Sequence, residues 1–247
     1  MHRIAVISDI HGNMTAASAV LDDIGTRGIE DIICLGDLVG KGPHSPEAVD
    51  LMREKCRLIV RGNWDDFISN PTEDPTLRWH QMRLGEERLR YLKMLPLSVD
   101  LRLSGRLIRL YHASAKSIYH RVQPWEPIEE RMAMFANTEL TGTADDQAAE
   151  PDVVGYGDVH NAFVQHLNGR VLFNTGSVGN PLDVTQAAYA ILEGDRASTG
   201  LKPFSIQLVR VPYDIEQAVR DAEELGMPSL DAYAKELRTA KYRGLKS

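Results

Sequence analysis

At 247 residues and 43% hydrophobic content, the chain has apolar material for one large α/β domain or two small ones. Its 28 basic against 35 acidic residues leave a net charge of −7, which excludes a general attraction to duplex DNA and requires any phosphorylated ligand to be held locally. Two cysteines, Cys34 in an apolar run and Cys56 at the end of a charged helix, give no disulfide framework, and no run is long and apolar enough to span a bilayer. A soluble, unexported, cytoplasmic protein is therefore expected.

Residues 3–8 (RIAVIS) form a β-branched run that ends at Asp9-Ile10-His11-Gly12-Asn13, and residues 14–27 then carry apolar side chains at helical spacing. DIICLGDL reads as a second strand, the Gly/Pro loop 40–46 follows, and PEAVDLMREK reads as a helix with Ser45 as its N-cap. RLIVRGN is a third strand, broken at Gly62-Asn63 into another helix-compatible stretch; further on, RLGEERLRYLK reads as a solvated helix face. Strands alternating with helices predict parallel pairing, and in such sheets ligands gather at the carboxyl ends of the strands. Asp9, His11, Asp37 and Asn63 all fall there.

From about residue 97 hairpins take over: LSVDLRL, the turn Ser104-Gly105 and RLIRLYHAS; then FVQHL, the turn Asn168-Gly169 and RVLFNTGS. These imply a second, more antiparallel sheet. Between them EPIEERMAMFAN reads as a helix and TGTADDQAAE as exposed loop, while DVVGYGDVH delivers His160 to a strand end. SIQLVRVPY is a last strand, followed by helices over 214–225 and 229–238 and a basic tail, KYRGLKS. With no repeat and no linker, one domain spanning 1–247 with two sheets is the simplest account.

A carboxylate and an imidazole at alternate positions leaving a strand can point the same way, and a mixed Asp, His and Asn set suits manganese or a transition metal better than calcium. Asp37 has two oxygens with which to bridge two cations; Asn63 offers a neutral carbonyl oxygen. Two such cations activate a bridging water and neutralise the phosphoryl oxygens, so no protein nucleophile is needed. None is evident, since Gly176-Ser177 lacks the nucleophile-elbow spacing.

The ordered set SDIHGN, LGDLVG, RGNWD, YHAS, GDVH and NTGSVGNP, spanning residues 8–181, resembles the calcineurin-like metallophosphoesterase superfamily, in particular its small bacterial phosphodiesterase and diadenosine-tetraphosphatase-like branch. The resemblance implies a four-layer αββα sandwich with two divalent ions, manganese foremost and iron, cobalt, nickel, zinc or magnesium as alternatives. It places Asp9, His11, Asp37 and His160 on the first ion and Asp37, Asn63 and His112 on the second, with Asp37, Asn63 and His112 nearest the chemistry and Asn174 to Ser177 offering backbone contact.

Two positions depart from the family pattern. Asp158 stands where Gly-His-x-His has a second-metal histidine, and it is expected to join the ligands as a harder donor. Trp64 stands where many relatives have a histidine beside the leaving group; indole donates but cannot shuttle a proton, which favours weakly basic leaving groups. Trp64 also offers a face on which a base stacks, Lys41 a phosphate contact and His44 a substitute proton donor. Asp65 is expected behind the ligands, fixing the tautomer of an imidazole.

The implied activity is hydrolysis of phosphodiester or phosphoanhydride bonds in a small phosphorylated substrate such as a dinucleoside polyphosphate, by a metal-bridging hydroxide. The alternatives are a phosphomonoester or phosphoprotein phosphatase, and a binding module that kept the fold without the activity. Duplex nucleic acid and membranes are not expected partners, and the sequence leaves the oligomeric state open.

Overall fold

The first strand, β1 (His2–Ile7), shows why the fold has layers. Its alternation sends Ile4 and Val6 to one face and Ala5 and Ile7 to the other, and all four are buried in two different apolar clusters. A strand apolar on both faces must be covered on both. In the computed structural model, which describes residues 1–142 and 148–243, helices cover one face and a second sheet the other.

Asn13 caps α1 (Met14–Thr26), its side-chain oxygen accepting from the Ala16 amide at 3.1 Å. The chain returns through β2 (Asp31–Cys34), α2 (Ser45–Lys55) and β3 (Leu58–Ile59), with β1, β2 and β3 parallel as the alternation predicts. His44, not Ser45, occupies the N-cap of α2. The Ser45 hydroxyl is instead taken by the loop before it, accepting from the Gly40 amide at 3.1 Å and meeting His80 Nδ1 at 3.0 Å. Two helices follow, α3 (Asn63–Ser69) and α4 (Pro75–Met94), the second kinked at Gly85, whose φ of 72° no helix interior adopts.

The hairpin β4 (Ser98–Leu103) and β5 (Arg106–Tyr111) opens the second sheet. The helix expected over 126–137 is only α5 (Ile128–Met132), followed by a 3-10 turn at Ala133–Phe135. Continuation is lost because the Met134 carbonyl accepts from Tyr111 Oη at 2.7 Å and the Ala136 carbonyl from Arg109 Nη1 at 3.2 Å. Residues 143–147 of the loop expected at 141–150 lie outside the described residues. The sheet is completed by β6 (Val153–Tyr156) and the hairpin β7 (Phe163–Leu167) and β8 (Arg170–Asn174), in the order β4-β5-β6-β8-β7. It is mixed rather than mainly antiparallel, because β6 lies parallel to both β5 and β8.

The chain then rejoins the first sheet through β9 (Ala187–Gly194), antiparallel to β1, and β10 (Ser205–Val211). The helices α6 (Ile215–Glu224) and α7 (Leu230–Thr239) pack on each other around Val219, Ala222, Tyr233 and Leu237. The inter-sheet core joins Ile4, Val6, Ile33 and Leu35 to Ile108, Leu110, Val153 and Phe173. The α/β sandwich of two five-stranded sheets flanked by helices is thus the expected fold class. Among the described residues no helix is long and apolar enough to cross a membrane.

Candidate metal centre

The loops leaving β1 and β2 are stitched backbone to backbone: the Asp9, His11 and Gly12 amides donate to the Gly36, Asp37 and Leu38 carbonyls, each at 2.9 Å. This approach needs glycine. A Cβ on Gly62 would meet Asp37 Oδ1 at 2.1 Å, and one on Gly36, already at φ +91°, would meet the Gly62 amide nitrogen at 2.4 Å. Five predicted ligands, Asp9, His11, Asp37, Asp158 and His160, have φ between 49° and 61°, a region non-glycine residues avoid. Backbone strain concentrated on these side chains marks a site whose geometry is held by its surroundings.

All seven predicted ligands are buried and converge where the two sheets meet. His11 Nε2 lies 3.8 Å from Asp9 Oδ1 and 3.6 Å from Asp37 Oδ2, and His160 Nε2 lies 3.1 Å from Asp9 Oδ1. On the other side of Asp37, His112 Nε2 is 3.5 Å from Asp37 Oδ1. Among the described residues two groups have donor atoms close enough to share an ion: Asp9, His11 and His160, and Asp9, Asp37 and His112.

The imidazoles reveal what the arrangement is for. His11 Nδ1 faces the Val39 carbonyl at 3.0 Å, His112 Nδ1 the Leu35 carbonyl at 2.8 Å, and His160 Nδ1 the Asn180 carbonyl. A carbonyl only accepts, so each Nδ1 carries a hydrogen, and each ring in its neutral form turns an Nε2 lone pair inward. Those lone pairs face carboxylate oxygens and each other; His11 Nε2 and His160 Nε2 are 3.3 Å apart. Asp9 Oδ1, Asn63 Oδ1 and His112 Nε2 are buried without a hydrogen-bond partner. Acceptors packed against acceptors are costly unless a cation lies among them, and oxygen with imidazole nitrogen is a donor set for divalent metal.

Charge shows the same frustration. Burial pushes the Asp37 carboxyl well up, and Asp9 and Asp65 push it further despite His112. Burial disfavours a charged His112, yet Asp37, Asp9 and Asp158 draw it up to about 9. Burial would raise Asp9 too, but His160, His112 and His11 outweigh it and hold it below the usual carboxylate range. Protons thus offset part of the buried carboxylate charge. His112 must release its proton to ligate, so divalent-metal affinity is expected to rise about tenfold per pH unit between about pH 6 and 8, with proton release. Calorimetry in buffers of different ionisation enthalpy measures both, and an affinity flat across that range would refute the prediction.

The remaining candidates are placed differently. Lys41 Nζ donates to Asn180 Oδ1 at 2.9 Å, beside the metal ligands. His44 turns towards Glu47 Oε1 at 3.7 Å. Trp64 fits against Gly40 and stands edge-on to His11, ring centroids 5.8 Å apart. Asn174 donates to the Gly157 carbonyl at 2.5 Å, and Ser177 Oγ donates to that of Asp9 at 2.9 Å. Asp65 does not touch an imidazole; its carboxylate accepts the amides of Asp37 at 2.8 Å and of Leu38 and Gly62 at 2.9 Å, while backbone carbonyls fix the tautomers.

Sequence reading missed Arg121, which grips Asp158 with Nε–Oδ2 at 2.9 Å and Nη2–Oδ1 at 3.0 Å, and Asn180, which donates to buried Glu236 at 3.2 Å and so ties α7 to the site. Arg121 stands in no recognisable motif, whereas Asn180 lies within NTGSVGNP, a motif in which only Asn174 to Ser177 were given a role. Lys41, Arg121, Trp125, Asp158, His160 and Tyr242 line a cleft of about 330 Å³ opening from the ligands. A cavity of about 450 Å³ lies at the other end of β1, around Met1, Arg57 and Arg196, far from these groups.

Fold and donors together fit the class of metal-dependent hydrolases of phosphate esters. The chain belongs to the calcineurin-like phosphoesterase superfamily, whose domain model matches residues 2–197. It is 33% identical over 240 residues to an uncharacterized protein of Methanocaldococcus jannaschii, covering 87% of this chain and 89% of the relative. Its fold is similar to the crystal structure of a metallophosphoesterase from Sphaerobacter thermophilus, at 26% identity and a TM-score of 0.75 over 96% of this chain and 99% of that one. A hypothetical protein from Pyrococcus horikoshii shares the fold over the full length of both chains, at 19% identity and a TM-score of 0.74.

Proposed function

We propose that the protein cleaves phosphodiester or phosphoanhydride bonds in small phosphorylated molecules, nucleotides foremost, with two divalent cations, manganese first among them. The observation that carries the reading is the set of three buried imidazoles whose Nδ1 hydrogens are spent on carbonyls and whose Nε2 lone pairs converge on Asp9 and Asp37. When bound, such cations supply an activated water and positive charge against the phosphoryl oxygens. Asp9, His11, Asp37 and His160 would hold one, and Asp37, Asn63 and His112 the other, with Asp37 between them. Lys41, whose Nζ donates to Asn180 Oδ1, would meet a phosphate beside them.

The leaving-group argument rests on Trp64: it fills the space beside His11, and its indole N–H cannot pass a proton to a departing alkoxide. A phosphate or aryl oxide departs without such help. In the cleft, Trp125 is 72% exposed and Tyr242 41%, two planar faces of the kind on which bases stack. The net charge of −7 speaks against duplex nucleic acid as the partner.

A substrate panel with Mn²⁺ tests the reading. Dinucleoside polyphosphates and aryl phosphodiesters are expected to show kcat/KM at least about 100-fold above an alkyl monoester. Equal turnover of alkyl monoesters, or preference for a phosphopeptide, would move the protein to the phosphatase class. Metal uptake with no hydrolysis of any substrate would make it a binding module.

A further inference from the structure

We infer that Asp158 holds Arg121 over the metal centre as a phosphate-binding residue and does not ligate the second cation. The inference rests on the phosphoesterase reading above and corrects the expectation that Asp158 completes the second metal's ligand set.

Both Asp158 oxygens are already occupied. Arg121 reaches them as a planar fork, at 2.9 Å and 3.0 Å, and Oδ1 also accepts from Asn63 Nδ2 at 3.2 Å. The carboxylate is 3% exposed, so its end of the pair is shielded from solvent. Of the predicted ligands, Asp9 Oδ1, Asn63 Oδ1 and His112 Nε2 are buried without a partner among the described residues; no Asp158 atom shares that state. Asp158 Oδ1 stands 3.9 Å from His112 Nε2, and among the described residues Asp158 belongs to neither group whose donors are close enough to share an ion.

Charge accounts for the pairing. A carboxylate where relatives carry a neutral imidazole adds a negative charge to a centre that must attract phosphate, and the guanidinium cancels it. The fork uses Nε and Nη2 and leaves Nη1 without a hydrogen-bond partner among the described residues. Arg121 is 44% exposed and lines the cleft beside Lys41 and His160. A guanidinium stays charged at any working pH and presents several hydrogens in one plane, which suits the oxygens of a phosphoryl group. Asp158 is then a positioning residue: it locks the rotamer so that Nη1 faces the space in front of the metal ligands.

Arg121→Gln, Asp158→Asn and the wild type, loaded with Mn²⁺, separate the roles by metal content and by calorimetric titration with inorganic phosphate. Both variants are expected to keep the wild-type number of bound ions, to bind phosphate about 10- to 100-fold more weakly, and to raise KM more than they lower kcat. Arg121→Lys should recover part of the phosphate affinity. Loss of one metal equivalent in Asp158→Asn but not in Arg121→Gln would assign Asp158 to the metal and overturn the inference. Unchanged phosphate affinity in Arg121→Gln would overturn it as well. A wild type that takes up no divalent cation would fail differently, removing the phosphoesterase reading together with what rests on it.

Discussion

Asp37→Asn is expected to abolish metal-dependent hydrolysis, lowering kcat/KM by about 10³-fold or more, while leaving the metal-free protein at least as stable as the wild type. The first half follows from position: Asp37 oxygens lie 3.6 Å from His11 Nε2 and 3.5 Å from His112 Nε2, so the residue, like Asp9, reaches imidazoles on both sides of the centre. Loss of about 4 kcal/mol of charge stabilisation corresponds to that factor. The second half follows from burial. Asp37 is 1% exposed and crowded by Asp9 and Asp65, which push its carboxyl well above the usual range, so a neutral amide relieves the metal-free state. An Asn oxygen can still accept the Trp64 amide, which now meets Asp37 Oδ1 at 2.8 Å.

Thermal melts read both effects in one experiment. Saturating Mn²⁺ at about 100 times its dissociation constant should add about 2.7 kcal/mol to the wild type, which raises Tm by about 5–10 °C for a chain of this size, reversibly with chelator. The variant should show little metal shift and a metal-free Tm equal to or above that of the wild type. A variant that melts lower without metal would mean that Asp37 is structural, and an unchanged metal shift would remove it from the ligands.

How much of this was legible without coordinates depends on what each residue's role rests on. Asp9, His11, Asp37 and Asn63 could be read because each follows an apolar run or short motif, and parallel pairing brings strand ends together. The role of Arg121 could not, because its partner Asp158 lies 37 positions away and no local pattern joins them. The hairpins were legible from Ser104-Gly105 and Asn168-Gly169, whereas β9 was not. AAYAILEG is covered on both faces, its residues dividing between two clusters, so it lacks the alternation that marks a half-exposed strand. The parallel placement of β6 was hidden for a similar reason, since hairpin turns report neighbours in sequence and β6 pairs with neither of its chain neighbours through a turn. The positive φ angles of the ligand residues have no compositional sign, because aspartate and histidine are common in ordinary loops.

Asp65 is the case in which the residue was singled out and its role misread, and it carries the largest stability prediction. Its buried carboxylate gathers three amides, Asp37 and Gly62 on Oδ2 and Leu38 on Oδ1, and thereby locks the loop after β2 to the start of α3. Those elements carry Asp37 and Asn63, so the geometry of the centre is set one layer behind the ligands. Asp65→Ala strands three buried N–H groups, each worth about 1–3 kcal/mol when unsatisfied, and should cost about 3 kcal/mol or more, a fall in Tm of about 6–12 °C. Metal affinity should fall about 10- to 100-fold, as it does when supporting groups are removed elsewhere. Asp65→Asn keeps the shape and at least one acceptor oxygen, so its loss should be the smaller on both measures. If Asp65→Ala lowered Tm but left metal affinity at the wild-type value, the carboxylate would serve the fold alone, and the spacing of Asp37 and Asn63 would have to be held by the Gly36–Gly62 backbone contact instead.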